Sequence, residues 1–351
     1  MGSLPSRAVA LAVVLLLATS VIPARATFLD TVELNLIKRK LRGQVLDFTH
    51  NHGQDRRLWS PSLCSKRDVY VYLPPCYSPA KQYPVIFYLH GFAQDERSFY
   101  ALLPELDKAI ACGTMPPVIV VAPDGSITGS ASFLQPASFY INSNAGNFED
   151  YLMRDVWDWA HWNFPIRPER EAHALAGVSM GGGAAFDIGM RHRDRVGVVS
   201  GIFPPLNTRW LDCKGNYMGK FDPCCQAMRE QMHHRREVIA SYLGGTIKIR
   251  IGAFVDPLFG FGDHAVPRLS EHNPIEHIDR TGLKNGELAM YVAFGGKDEF
   301  NLDAQAKSFL YVAKERGIDV DVDYLPRGRH DTRTALRLLP GTLHWLGTKL
   351  K

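Results

Sequence analysis

The chain of 351 residues lacks any apolar run of membrane-spanning length. Its longest apolar stretch, residues 8–21, falls short of the roughly 20 residues that a spanning helix needs. Charge of one sign is lacking too. Forty basic against 36 acidic residues leave a net +4, and no concentrated basic face marks a nucleic-acid binder. The group Lys38, Arg39, Lys40 and Arg42 reads as a short solvated segment. There are no repeats or low-complexity tracts, which sets aside solenoids and fibrous chains. The six cysteines (Cys64, Cys76, Cys112, Cys213, Cys224 and Cys225) contain no C-x-x-C pair of the kind structural zinc favours. Cys213, Cys224 and Cys225, with His233 and His234 nearby, therefore read as a loop bridged by a disulfide or carrying free thiols. Six cysteines allow many pairings, and the sequence selects none.

What is present begins with an export signal. Arg7 precedes the apolar stretch, and Pro23-Ala24-Arg25-Ala26 follows it. A basic start, a short apolar core and an A-x-A ending describe a secretory signal cleaved after Ala26. The expected mature chain is 27–351, secreted or periplasmic, with no membrane span left.

Beyond it, strands and helices alternate. Residues 68–73 (DVYVYL) have the period of a strand with one polar face, and 85–89 (VIFYL) that of a strand buried on both. Similar short runs lie at 118–122, 174–176, 196–199, 290–294 and 320–324. Helical spacing appears at 148–163 (Leu152, Val156, Trp159), with Asn147 as the expected cap, and at 302–316 (Leu302, Ala306, Phe309, Ala313), with Gly317 as the stop. This order predicts an α/β fold with a mostly parallel sheet and helices on both faces. Residues 205–285 break the rhythm and read as an insertion over the sheet's carboxyl edge.

Gly177-Val178-Ser179-Met180-Gly181 matches G-x-S-x-G between an apolar strand and a helix rich in small residues. That strand–turn–helix setting places the serine on a strained elbow as a nucleophile. The oxyanion donors expected beside it are the backbone N–H groups of Met180 and of Phe92, with Ala93 the alternative to Phe92. His90, upstream at a strand end, reads as a loop-shaping residue. In the order serine, acid, histidine, the acid is Asp298 and the base His330, since the span between them holds one turn, one helix and one strand. Asp256 with His264 lacks such a unit between its members. Glu299 would serve as the acid if the turn were shifted by one residue. His50, His52 and His344 read as ordinary surface or core histidines.

These residues together resemble the esterase D-like family of α/β hydrolases. The resemblance rests on VYLPPCY, YPVIFYLHG, NFEDYLMRDV, RPEREAHALAGVSMGGGAAF, GGKDEFN and GRHD, in that order along the chain. It implies the α/β-hydrolase fold and places nucleophile, acid and base on Ser179, Asp298 and His330. The family includes secreted feruloyl and acetyl-xylan esterases, and the chain's own departures lie in the 205–285 insertion and the GRHDT ending. The implied function is hydrolysis of an extracellular carboxylic ester, free or polysaccharide-linked. Acyl transfer by the same triad and a non-catalytic carbohydrate-binding protein are the alternatives. Gln94, Tyr140, Phe259 and Phe261 are the expected substrate contacts. The chemistry needs no metal and no cofactor, and no nucleic acid is expected as a partner.

Overall fold

The computed structural model describes residues 23–132, 137–225, 227–232, 235–242 and 247–350, with the side chains of 23–30 and 247 outside that description. The core of the expected signal (1–22) and the pair His233–His234 also lie outside it. Helix α1 (Pro23–Lys38) runs through the expected cleavage point after Ala26. Among the described residues no helix is long and apolar enough to cross a membrane.

Eight strands form the central sheet: β1 (Gln44–Phe48), β2 (Val69–Leu73), β3 (Val85–Leu89), β4 (Ile119–Pro123), β5 (His173–Val178), β6 (Val198–Ile202), β7 (Ala289–Gly295) and β8 (Asp321–Leu325). Their spatial order is β1-β2-β4-β3-β5-β6-β7-β8. β2 pairs antiparallel with both β1 and β4, and all remaining pairs are parallel. The parallel strands consequently end on one edge, where ligands of open α/β sheets bind. The fold is that of the α/β hydrolases.

Every residue of β3, β4 and β6 is buried, in keeping with apolar runs covered by helices on both faces. β2 departs from its expected polar face, because all five of its residues are buried. Its alternation is of tyrosine with aliphatic residues, and the tyrosine hydroxyls find internal partners. Tyr72 donates to Asp107 at 2.9 Å, and Tyr70 accepts from Tyr100 at 2.6 Å.

Five helices flank the sheet. They are α2 (Leu103–Ala111), α3, α4 (Met180–Arg191), α8 (Leu302–Glu315) and α9 (Thr332–Lys349). α3 is continuous through Phe148–Asp150, a π-helical turn Tyr151–Val156 and Trp157–Asn163. Its start is not capped by Asn147. The side-chain oxygen of Asn142 instead accepts from the N–H groups of Glu149 and Asp150, at 3.1 and 3.2 Å. α8 buries Leu302, Ala306, Phe309 and Ala313, and Gly317 follows it with φ +67°. Phe309 meets Phe186 of α4 edge-on at 5.6 Å, so truncating Phe186 to alanine should cost about 3–5 kcal/mol.

Residues 205–285 connect β6 to β7. They form two short ribbons, Trp210–Leu211 with Ala227–Met228 and Val238–Tyr242 with Ile247–Arg250. Three helices follow: α5 (Gly252–Phe259), α6 (Ala265–Glu271) and α7 (Pro274–Arg280). A disulfide joins Cys213 to Cys225, while Cys64, Cys76, Cys112 and Cys224 are exposed free thiols.

Candidate active site

β5 runs straight into α4, and the turn between them is Ser179, with φ +54° and ψ −119°. L-residues rarely adopt a positive φ, and such strain is concentrated at functional sites. Two glycines make the turn possible. A Cβ on Gly177 would meet the Leu89 carbonyl at 2.7 Å, and one on Gly181 would collide with the same carbonyl. Ser179 thus stands at the sheet's carboxyl edge, half-buried, with its N–H tied to the Ile202 carbonyl at 2.7 Å.

His330 Nε2 lies 3.0 Å from Ser179 Oγ, and His330 Nδ1 lies 2.8 Å from Asp298 Oδ2. Asp298 follows β7. Its other oxygen accepts from the Phe300 N–H at 2.8 Å, so both oxygens are engaged and the carboxylate cannot swing away. The imidazole is flanked by Phe203 and Phe300, with ring centres at 5.1 and 4.9 Å. With a carboxylate on Nδ1, that nitrogen carries the proton and Nε2 turns its lone pair to the serine.

Glu299 does not face the imidazole. Its Oε2 accepts from the His330 backbone N–H at 2.8 Å and its Oε1 from Arg329 Nε at 2.6 Å, so it braces the loop that carries the histidine. Asp256 is paired with Arg235 Nε at 2.8 Å, away from the serine. Asp331 caps α9 by accepting from the Thr334 N–H at 2.8 Å.

The expected oxyanion loop follows β3. Gln94 folds back so that its carbonyl oxygen accepts from the Gly91 N–H at 2.9 Å, which shapes the turn carrying Phe92 and Ala93. His90 is buried below it, where its Nε2 accepts from the Gly125 N–H at 2.8 Å and its backbone N–H donates to the Tyr140 hydroxyl at 3.0 Å. Phe92 and Met180 both border the cavity into which Ser179 opens.

That cavity measures about 980 Å³ including its open mouth. Phe92, Phe139, Phe254, Leu258 and Phe259 make much of its wall, and Met180, Gly183, Ala184 and Asp187 make its floor. Asp187 is buried under four donors: His272 Nδ1 at 3.0 Å, His277 Nε2 at 2.7 Å, and Arg191 through Nε and a terminal nitrogen at 3.0 and 3.1 Å. Burial alone would raise its pKa. The bonds from the two histidines and Arg191 outweigh that and hold it well below the usual carboxylate range. Among the described residues no group of side chains could hold a metal ion.

Residues 60–335 match the family described as Putative esterase. The chain belongs to it. Its fold is that of the α/β hydrolases. It is 30% identical over 146 residues, 39% of its own length, to an endo-1,4-beta-xylanase/feruloyl esterase of Xylanibacter ruminicola, of which the match spans 19%. Two solved structures have the same fold. One is a ferulic acid esterase with a TM-score of 0.62 at 18% identity, matched over 88% of this chain and 99% of that one. The other is an S-formylglutathione hydrolase of Agrobacterium tumefaciens with a TM-score of 0.61 at 17% identity, matched over 89% and 97%.

In this family member the expected substrate contacts separate. Phe259 lines the cavity, stacked on His272. Gln94 is exposed and does not line the cavity, its oxygen spent on Gly91. Tyr140 does not reach the cavity. Phe139 and Tyr140 both have positive φ (+51° and +55°), a reversal that sends Tyr140 inward against Gly125 and His90 and leaves Phe139 to line the wall. Phe261 is 64% exposed and lies under the Arg235 guanidinium at 4.0 Å, outside the cavity. Asp187 and His272 were missed. The one signal for Asp187 was its place on the Met180, Gly183 and Ala184 stripe of α4, at i, i+3, i+4 and i+7. Nothing local marks His272.

Proposed function

We propose that this esterase cleaves carboxylic esters outside the cell by double displacement, with Ser179 as nucleophile. Ser179 Oγ attacks the ester carbonyl while His330 Nε2 takes its proton and then gives that proton to the departing alcohol. Asp298 keeps the proton on Nδ1 and stabilises the imidazolium that forms. The backbone N–H groups of Met180 and Phe92 hold the developing oxyanion. Water activated by His330 then releases the acid from the acyl-enzyme and restores the serine.

The observation that carries the reading is the Ser179–His330 contact of 3.0 Å at the mouth of an apolar cavity. A cavity of that volume and lining suits an aromatic acyl group better than acetyl, because burying a ring gains far more than burying a methyl. The proposed substrate is accordingly a hydroxycinnamoyl ester of the feruloyl type, carried on a plant polysaccharide or a fragment of one. The name of the Xylanibacter relative supports this class, and the disulfide Cys213–Cys225 is in keeping with an oxidising, extracellular setting.

The test is hydrolysis of nitrophenyl acetate and of methyl hydroxycinnamates by the wild type and by Ser179→Ala. The variant should lose at least about 10⁴-fold in kcat on both, and the wild type should favour the hydroxycinnamate in kcat/KM. A folded wild type that turns over neither ester would sink the proposal.

A further inference from the structure

The cavity has two polar ends. Ser179 is at one, and Asp187 with His272 is at the other. Asp187 lies eight positions beyond Ser179 along α4, a rise of roughly 12 Å at the helical repeat. The floor between them is the stripe Met180, Gly183 and Ala184, where small residues keep the channel open.

The polar side chains between these ends are already engaged. Tyr217 donates its hydroxyl to the Phe300 carbonyl at 2.8 Å and accepts from Gln305 Nε2 at 2.8 Å. Gln305 Oε1 accepts from the Asn207 N–H at 3.3 Å, and Thr208 donates to Asn273 at 3.2 Å. His272 differs. Its Nδ1 is held by Asp187, and its Nε2 has no hydrogen-bond partner among the described residues. The ring lies nearly parallel to Phe259, with an interplanar angle of 18°, and its side chain is 16% exposed, toward the cavity it lines.

The tautomer follows from Asp187. That carboxylate accepts from Arg191 and His277 as well, so it stays ionised, and His272 must present N–H to it from Nδ1. With its proton on Nδ1, the ring turns the Nε2 lone pair into the cavity. Such a group accepts a hydrogen bond and rewards a hydroxyl placed at the far end of an acyl chain.

We infer that His272, oriented by Asp187, is a specificity residue that accepts a hydrogen bond from a hydroxyl at the distal end of the acyl group, the para hydroxyl of an arylpropenoyl ester. The inference rests on the proposed function and names the determinant within it. An acetyl group ends far short of His272, whereas a rigid arylpropenoyl group carries its para oxygen most of the way along the stripe. Without this residue an apolar cavity would favour the ring lacking a hydroxyl, because burying an unpaired hydroxyl is unfavourable.

The experiment compares kcat/KM for methyl 4-hydroxycinnamate and methyl cinnamate in the wild type and in His272→Phe, which keeps a ring beside Phe259 and removes the nitrogen. The wild type should prefer the hydroxylated ester by about ten-fold, and the variant should bring that ratio to about one or below. Taking the ratio across variants cancels the intrinsic reactivity of the two esters. The melting temperature and circular dichroism spectrum of His272→Phe should match the wild type, which shows an intact fold. If that variant does not fold, binding of free 4-hydroxycinnamate and cinnamate to Ser179→Ala, followed by calorimetry, reads the same preference. A wild type that hydrolyses both cinnamates equally, or a His272→Phe that keeps the wild-type ratio, overturns the inference while leaving the esterase reading standing. Loss of all activity in Ser179→Ala tests that reading separately.

Discussion

An aspartate–histidine pair stands behind Ser179 at the mouth of the cavity and another at its far end, and the two pairs are built alike. Asp298 holds His330 through Nδ1 at 2.8 Å, and Asp187 holds His272 through Nδ1 at 3.0 Å. What differs is the other nitrogen and the other duties of the acid. His330 Nε2 meets Ser179 Oγ, and Asp298 serves one imidazole and its own loop. His272 Nε2 meets the cavity, while Asp187 also binds His277 and Arg191. A carboxylate on Nδ1 fixes a tautomer. It does not fix a chemistry, which is decided by the group placed before Nε2.

The largest effect should come from changing the two acids in parallel. Asp298→Asn should lower kcat about 10⁴-fold by releasing the imidazole tautomer, and leave the melting temperature nearly unchanged. Asp187→Asn should do the opposite. It should keep nitrophenyl acetate turnover close to the wild-type rate and cost about 3–5 kcal/mol in urea unfolding, because His272, His277 and Arg191 would lose the buried charged acceptor they share, with Arg191 keeping Glu149. Equal rate losses in both variants would erase the distinction between the two pairs.

A second test separates the acid from its neighbour. Glu299 holds the backbone of His330 rather than its ring. Glu299→Gln retains an acceptor and should lose less than ten-fold in kcat. Glu299→Ala should lose about 10²-fold by letting the imidazole drift, with KM unchanged in both. Steady-state kinetics on one soluble ester would check this.

The third test is of pH. Glu149 accepts from Arg191 at 2.6 and 2.8 Å and bonds His192 at 2.9 Å. Burial would raise its pKa, but these partners bring it from 4.5 down to about 2. A carboxyl depressed on folding stabilises above its unfolded value, and that contribution is lost as pH falls through the folded one. Stability should therefore drop between pH 4.5 and about 2. In Glu149→Gln the acid slope of ΔG against pH should shrink by about one proton, with lower stability at neutral pH.

The end of the cavity at Ser179 was legible in the sequence, and the far end was not. Ser179 announces itself because a positive-φ elbow between a strand and a helix demands small residues at fixed spacing. Asp298 and His330 are ordered by the sheet, since parallel strands deliver both to one edge. Tyr140 misled because two consecutive left-handed residues reverse which neighbour faces the cavity, and neither Phe139 nor Tyr140 is a residue type that signals a positive φ. Asn147 misled because the cap arrives from Asn142 across a turn. β1 went unseen for a different reason. It is a five-residue edge strand with one fully buried position, Val45, and so carries almost no periodic signal. His272 was invisible because its partner lies 85 positions away, and only the packing of residues 205–285 on α4 brings them together.

The elbow has a thermodynamic side. At φ +54° and ψ −119° Ser179 occupies the mirror image of the extended region, where glycine is at ease and every other residue is strained by about 1–3 kcal/mol. The folded protein carries that strain in every molecule, whether or not an ester is bound. Ser179→Gly should relieve it. After the greater freedom of an unfolded glycine is subtracted, about 1 kcal/mol should remain, a rise of about 2 °C in melting temperature in a protein that no longer turns over. Activity and stability are thus opposed at a single backbone torsion, and the most heat-resistant version of this fold would be an inert one.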